Sequence, residues 1–295
     1  MATVFVTGGT GLVGRAVLDL AARSGHTLQV LAREPGPPHP GVVWVRGALE
    51  RPDTWRAALE GCEAVLHLAA RTGAAPDAVY TQVNVAGTEA LLGAASRVGV
   101  PRFVFVSTIA VRFAGLDRYP YARSKQIAED RVRDSGLAWT VVRPTLVLGR
   151  GAPNLQKLAA LAGLPVVPLL GGGRARLQPV DARDLAALLL DALESGPLGD
   201  VVEVGGPETL TMRALLTRIR RTTGRGGAPA LPIPLGPVQA GVGLAARVLG
   251  ARAPVTPAQL LSFVEDAVAE PHPWTEQRVG RLRPLDTTLT EALVA

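Results

Sequence analysis

The segment TGGTGLVG at residues 7–14 narrows the possible folds more than any other part of this chain. It follows the apolar, β-branched run TVFVT (3–7) and opens a stretch in which Leu12, Val13, Ala16, Val17, Leu20 and Ala21 fall at helical spacing. A glycine turn between a strand and an amphipathic helix makes a cradle for phosphate groups. Gly8 permits the tight turn, Gly11 lets the backbone approach a pyrophosphate, and Gly14 lets helix and strand pack closely. Thr10, Leu12 and Val13 belong to the same loop and first helical turn, where free N–H groups face the phosphates. A dinucleotide is therefore the expected ligand.

Further apolar runs recur at TLQVLA (27–32), VVWVRG (42–47), AVLHLAA (64–70), RFVFVST (102–108) and AWTVVRP (138–144), most of them separated by helical patterns. Strands alternating with helices imply right-handed βαβ units and a parallel sheet covered on both faces, the doubly wound Rossmann α/β fold. The second half is less regular. Residues 151–175 are rich in Gly and Pro; then come LQPV (177–180), a helix from Asp181 to about Glu194, VVEVGG (201–206), a helix opening at Thr211 and a helical stretch at 256–270. The expected organisation is a nucleotide-binding core over 1–150, completed by about 176–206, with about 151–175 and 207–295 forming a small cap that selects the substrate.

The second strand ends VLARE, and its end decides which dinucleotide fits. An acidic residue there would accept hydrogen bonds from the ribose 2′-hydroxyl, but Ala32 holds that position, followed by Arg33 and Glu34. A guanidinium at Arg33 can fork onto a 2′-phosphate, which favours NADPH over NADH. The alternative leaves Arg33 solvated and gives the ribose to Glu34.

Other chemistries lack their residues. Cys62 stands alone in GCEAVLHLAA and reads as an apolar strand filler, and His26, His39, His67 and His272 are scattered without ligand spacing, so no metal site is expected. There is no GxSxG elbow for a serine hydrolase. The net charge of +6 comes from arginines interspersed with acids and accompanied by no nucleic-acid-binding motif, so a solvated surface is expected and nucleic acid is not. Residues 158–173 and 226–246 are uncharged but short or broken by prolines, and neither reads as a membrane span. VQAGVGLAARVLG (238–250) reads as a buried helix, or else as one lying on a membrane or a protein partner. No basic, apolar leader opens the chain, so the cytoplasm is the expected compartment. A monomer and a dimer both remain open.

Only two of the 31 basic residues are lysine, Lys125 and Lys157. Lys125 lies four positions after Tyr121 in YARSK, at the start of a helical run, so the two side chains share a face. An ammonium beside a phenol favours the phenolate and brings the tyrosine towards the working range of an acid/base, which suits proton transfer beside a hydride donor. Thr108, at the end of the strand FVFVST, is placed to hydrogen-bond a substrate oxygen, with Ser107 as the fallback. Lys157 reads as a solvated helix residue.

The glycine motif, HLAA (67–70), NVAGT (84–88), VFVST, YARSK and RPTLVLG (143–149) together resemble a short-chain dehydrogenase/reductase of the extended or atypical kind, the NAD-dependent epimerase/dehydratase superfamily. Three further stretches, 164–186, 201–216 and the ending LRPLDTTLTEAL, resemble bacterial relatives of the NADPH-binding accessory subunit of respiratory complex I. The wider resemblance implies Tyr121 as acid/base, Lys125 on the nicotinamide ribose and Thr108 orienting the substrate. It also implies Leu68, Ala69 and Ala70 lining the cofactor through their backbone, and Arg143 and Pro144 near the nicotinamide.

Two departures from that pattern stand out. Ala48 replaces an aspartate common near the adenine, and only thirteen positions separate Thr108 from Tyr121, about half the interval of nucleotide-sugar epimerases. An NADPH-dependent oxidoreductase acting on a small carbonyl or alcohol is the leading expectation. A dinucleotide-binding protein without turnover, as the complex I resemblance implies, is the alternative, and a nucleotide-sugar epimerase or dehydratase comes third.

Overall fold

A computed structural model describes residues 2–196, 198–238, 260 and 263–294, with the backbone alone at Ala22. Two compact units divide the chain: Met1–Thr108, Tyr121–Arg143 and Ala182–Val202 form the first, and Ile109–Pro120, Pro144–Asp181 and Glu203–Ala295 the second. This division places in the second unit Ile109–Pro120 and residues 144–150, 176–181 and 203–206, which the sequence pattern assigns to the core.

The first unit is built on strands β1 (Thr3–Thr7), β2 (Thr27–Ala32), β3 (Val42–Arg46), β4 (Ala64–His67), β5 (Arg102–Val106) and β6 (Trp139–Pro144), each within a few residues of an apolar run. With β11 (Asp200–Val204) they make a seven-stranded parallel sheet in the order β11-β6-β5-β4-β1-β2-β3. The order reverses between β1 and β4, where a doubly wound sheet opens a crevice at its carboxyl edge. The fold is thus the Rossmann-type α/β fold.

Strand alternation sends side chains to two helical layers. Phe5, Val65, Phe103, Phe105 and Val141 face Leu91 and Ala95 of helix α3 (Gly87–Val98) and Ala128 and Val132 of α4 (Pro120–Arg133), with Trp55 and Leu59 closing the cluster. Burying each of these aromatic side chains contributes about 2 kcal/mol. On the opposite face, α1 (Leu12–Ser24) packs with α6 (Ala182–Ser195). Helix α3 continues a short α2 (Asp77–Tyr80) through a π-helical segment, Thr81–Ala86. Cys62 lies in the turn before β4, not in the strand; its buried Sγ donates to the Ala58 carbonyl, and burial pushes the thiol up to about 11.

In the second unit, short paired strands alternate with helices. The Gly/Pro-rich stretch after residue 150 holds a helix, α5 (Pro153–Ala162), opened by a proline at its first position, and a strand, β8 (Val167–Leu170). β8 pairs with β13 (Ala230–Ile233) in a two-stranded sheet, where Pro168 is tolerated. Thr211 caps α7 (Met212–Thr222), its Oγ1 accepting from Ala214 N at 3.2 Å. Of the helical stretch expected over 256–270, the described part 263–270 forms a turn and an isolated bridge from Ala267 to Leu177. Residues 239–250 of the possible partner-binding helix lie outside the described residues. Among the described residues no helix is long and apolar enough to cross a membrane, and no cluster of His, Cys, Asp or Glu could hold a metal.

Candidate active site

The glycine loop rests on the backbone that leaves β4. Gly8 has φ +74°, and a Cβ there would lie 2.6 Å from Ala69 N and 2.8 Å from the Leu68 carbonyl carbon. The loop and the segment Leu68–Ala70 are therefore in direct contact at the point where strand order reverses. Gly14 is equally crowded: a Cβ there would collide with Gly8 O and come within 2.6 Å of Gly9, so the glycine lets α1 close onto the loop that leaves β1. Gly11 is the N-cap of α1 in an extended conformation, and no side chain caps the helix, which leaves its first N–H groups to an incoming anion. Thr10 and Gly11 are exposed, and Leu12 and Val13 half-buried.

Beneath this contact runs a hydrogen-bonded chain that sequence reasoning missed. His67, fully buried at the end of β4, has Nδ1 2.6 Å from Thr7 Oγ1 and Nε2 2.9 Å from Thr88 Oγ1. Ala69 N–H donates to Thr7 Oγ1, and Thr88 Oγ1 donates to Asn84 O at 2.6 Å. With the Thr88 proton spent on a carbonyl, His67 donates through Nε2 and accepts from Thr7 at Nδ1, so a neutral imidazole satisfies the whole chain. Burial, reinforced by the charge of Lys125, holds the His67 pKa well below the usual range. A lone histidine in an apolar strand gives no sequence signal of this role beyond its unusual company.

Helix α4 carries Tyr121 and Lys125. Lys125 is 1% exposed, with Nζ 4.0 Å from the centroid of the Phe105 ring on β5. Burial pushes its pKa down to about 7, while Glu129, one helical turn on, pulls the other way. Glu129 is itself buried and accepts from Arg143, Nε at 3.0 Å and Nη2 at 2.6 Å, so the Arg143 guanidinium is engaged with a carboxylate behind Lys125. Pro144 ends β6 and is buried. Tyr121 is half-buried, its ring 6.3 Å from that of Tyr80.

Asn84, in the π segment, ties α4 in place. Its amide donates to Ser124 Oγ at 2.8 Å and to Arg71 O, its Oδ1 accepts from Arg71 N, and Ser124 Oγ donates to Tyr121 O. A π turn inserts an extra residue into a helix and re-aims its side chains, which is how Asn84 reaches α4. Thr108 is half-buried just past β5, beside Ser107, whose buried hydroxyl has no hydrogen-bond partner among the described residues. The Ala48 carbonyl accepts from Trp55 Nε1 and from Arg51 N. Arg33 is exposed, directly after Ala32 at the end of β2.

A parallel doubly wound sheet, an uncapped glycine-loop helix and a tyrosine–lysine helix packed on β5 define a Rossmann protein of the short-chain dehydrogenase kind. Residues 4–205 match the model of the NAD dependent epimerase/dehydratase family, and the chain belongs to that family.

It is 30% identical over 243 residues to the 4-hydroxy-2-methyl-3-oxo-4-farnesyl-3,4-dihydroquinoline-1-oxide ketoreductase of Stigmatella aurantiaca, which covers 75% of this chain and 73% of that protein. It is 32% identical over 250 residues to the 2-alkyl-3-oxoalkanoate reductase of Stenotrophomonas maltophilia (strain K279a), covering 75% and 76% respectively. The solved structure of the Bordetella bronchiseptica enzyme WbmH in complex with NAD+ matches with a TM-score of 0.73 over 99% of this chain and 97% of that one, at 19% identity, a likeness of fold. The narrower resemblance to a complex I accessory subunit rests on the sequence motifs alone.

Proposed function

We propose that this protein is an NADPH-dependent reductase of a small carbonyl compound. The observation that carries this reading is a buried lysine placed one turn after a half-buried tyrosine on a helix packed against β5, the strand that delivers Thr108. Two relatives that are named reductases support it. The residues present also fit a dinucleotide, because the α1 N-terminus lacks a capping side chain and Gly8 lets the loop meet Leu68–Ala70.

NADPH, when bound, would supply a hydride to the carbonyl carbon. Thr108 donates a hydrogen bond to the carbonyl oxygen and fixes its direction. Tyr121 gives its phenolic proton to that oxygen as charge builds on it, and the phenolate is then reprotonated from solvent. Lys125, held by its packing on Phe105, binds the nicotinamide ribose and as an ammonium stabilises the phenolate. Asn84 and Ser124 keep the first turn of α4, and so Tyr121, in register.

The test is NADPH oxidation by the purified protein with a panel of aliphatic ketones and 3-oxo acids. Tyr121→Phe is expected to lower kcat by about 100-fold or more while NADPH affinity is retained, as for loss of a general acid. Equal turnover by Tyr121→Phe would remove the proton-transfer role. Tight NADPH binding with no turnover of any carbonyl would return the chain to the non-catalytic alternative.

A further inference from the structure

At the end of β2 the backbone turns back immediately. Gly36 lies against the indole of Trp44 on β3, where an added Cβ would come 2.6 Å from the ring, and the Trp44 Nε1 donates to Pro37 O at 3.0 Å. The segment carrying Arg33 is thereby pinned onto one face of β3. Two residues along that face from Trp44 stands Arg46, the last residue of the strand.

The register fixes which face this is. Trp44 pairs with Val30, and Arg46 with Ala32. Val30 is the residue whose side chain fills the space where Gly9 of the phosphate loop would carry a Cβ. Partners on neighbouring parallel strands share a face, so Val30, Ala32, Trp44 and Arg46 lie on the side of the sheet where the glycine loop and α1 sit. Val45, by contrast, packs on the Phe5–Phe105 cluster of the other side.

Arg33 and Arg46 are both exposed. Among the described residues neither has a carboxylate within salt-bridge distance, although other arginines of this chain are paired: Arg112, Arg131, Arg143 and Arg218. Ala32, the residue between this corner and the loop, leaves room where an acidic side chain would repel a second negative group. The charged residue nearest in sequence is Glu34, itself exposed, which would suit a ribose hydroxyl instead.

We infer that Arg46, together with Arg33, forms a two-armed anion site for the 2′-phosphate of the adenosine ribose, and that Arg46 is the second specificity residue for NADPH. This rests on the dinucleotide reading given above. Arg33 approaches from the connection after β2 and Arg46 from the adjoining strand end, so a phosphate there meets guanidinium groups from two sides, each able to give a charge-assisted, forked pair of hydrogen bonds.

The experiment measures dissociation constants of NADPH and NADH by the quenching of tryptophan fluorescence, in the wild type and in Arg46→Ala, Arg33→Ala, the double variant and Glu34→Ala. 2′,5′-ADP and 5′-ADP serve as competing probes. Arg46→Ala is expected to weaken NADPH and 2′,5′-ADP by about 10- to 100-fold and leave NADH and 5′-ADP unchanged, a charge-assisted bond being the interaction lost. Retained NADH binding also shows that the variant is folded. Arg46→Lys should recover part of the loss.

The inference is overturned if Arg46→Ala weakens both dinucleotides equally, weakens neither, or if Glu34→Ala alone abolishes NADH binding in a protein that prefers NADH. A wild-type protein that binds no dinucleotide at all would overturn the function proposed above, and this inference with it; that outcome differs from selective failure at Arg46.

Discussion

Taking an ammonium group out of water costs more than its packing returns unless something nearby accepts the charge. Lys125 Nζ has exchanged water for the face of Phe105, and only Glu129 opposes the loss, which leaves its pKa at about 7. The pKa in the folded chain thus lies below the ordinary value of 10.5, so the unfolded chain binds more protons between those two values. Through this residue, stability rises as pH rises from about 7 towards 10.5, and the full cost is present below about pH 7.

Ribose hydroxyl oxygens brought to Nζ would favour the ammonium, and so dinucleotide binding should take up a proton above neutral pH. We expect NADPH affinity to fall between pH 7 and 9, by at most about tenfold per unit, and to stay flat in Lys125→Met. Equal slopes for the two proteins in calorimetric titrations at several pH values would show that Lys125 is not the proton acceptor. The near absence of lysine from the chain acquires a physical sense at this position. A compact ammonium fits where the side chain is 1% exposed, and a planar guanidinium does not, whereas Lys157 is exposed on α5 and carries no such demand.

At the scale of the element, the unit that matters is β1, its glycine loop and α1. Gly14 and Gly93 are both helical glycines, and the space around them decides opposite outcomes. A Cβ on Gly14 meets the backbone of Gly8 and Gly9, which cannot step aside without moving the phosphate-binding turn, while a Cβ on Gly93 in α3 meets nothing within 4 Å. Gly14→Ala should therefore cost about 1–3 kcal/mol, as overpacking does, and weaken NADPH binding by about tenfold or more. Gly93→Ala should stabilise by up to about 1 kcal/mol with binding unchanged. Thermal melts and NADPH titrations of the two variants check both; a Gly14→Ala protein of wild-type affinity would mean that the turn has slack that its contacts do not suggest.

Over the whole molecule, legibility in the sequence follows the length of the periodic signal. The six strands from β1 to β6 and the long helices of the first unit announce themselves because each carries a sustained apolar run or stripe. The glycine loop and the Tyr121–Lys125 spacing stand out by the same local logic. The second unit is harder to read: β7 (Val147–Leu148), β9 (Arg176–Leu177) and β10 (Val180–Asp181) are two residues long, too short for any alternation to show, and α5 and β8 hide among glycines and prolines. Within the site, the pairings of His67, Asn84 and Glu129 are not legible in the sequence because each is a single polar residue whose partner lies elsewhere in the chain: Thr7, Ser124 and Arg143 respectively.

The segment Ile109–Pro120, which the second unit takes from between Thr108 and Tyr121, supplies the last test. Its Arg112 gives one nitrogen to Glu203 and another to Glu270, each at 2.6 Å, and Glu203 also accepts from Glu270 N. Glu203 is buried, so removing the guanidinium takes a charged donor from a carboxylate that has little access to water. Arg112 is more than a third exposed, and solvent takes over part of its role, which limits the loss in Arg112→Ala to about 1 kcal/mol, or about 2–4 °C in Tm. The glycine loop belongs to the other unit and contains none of these groups, so the NADPH dissociation constant should not move. A matching drop in NADPH affinity, measured beside the melt, would mean that Arg112 does more than hold Glu203 and Glu270.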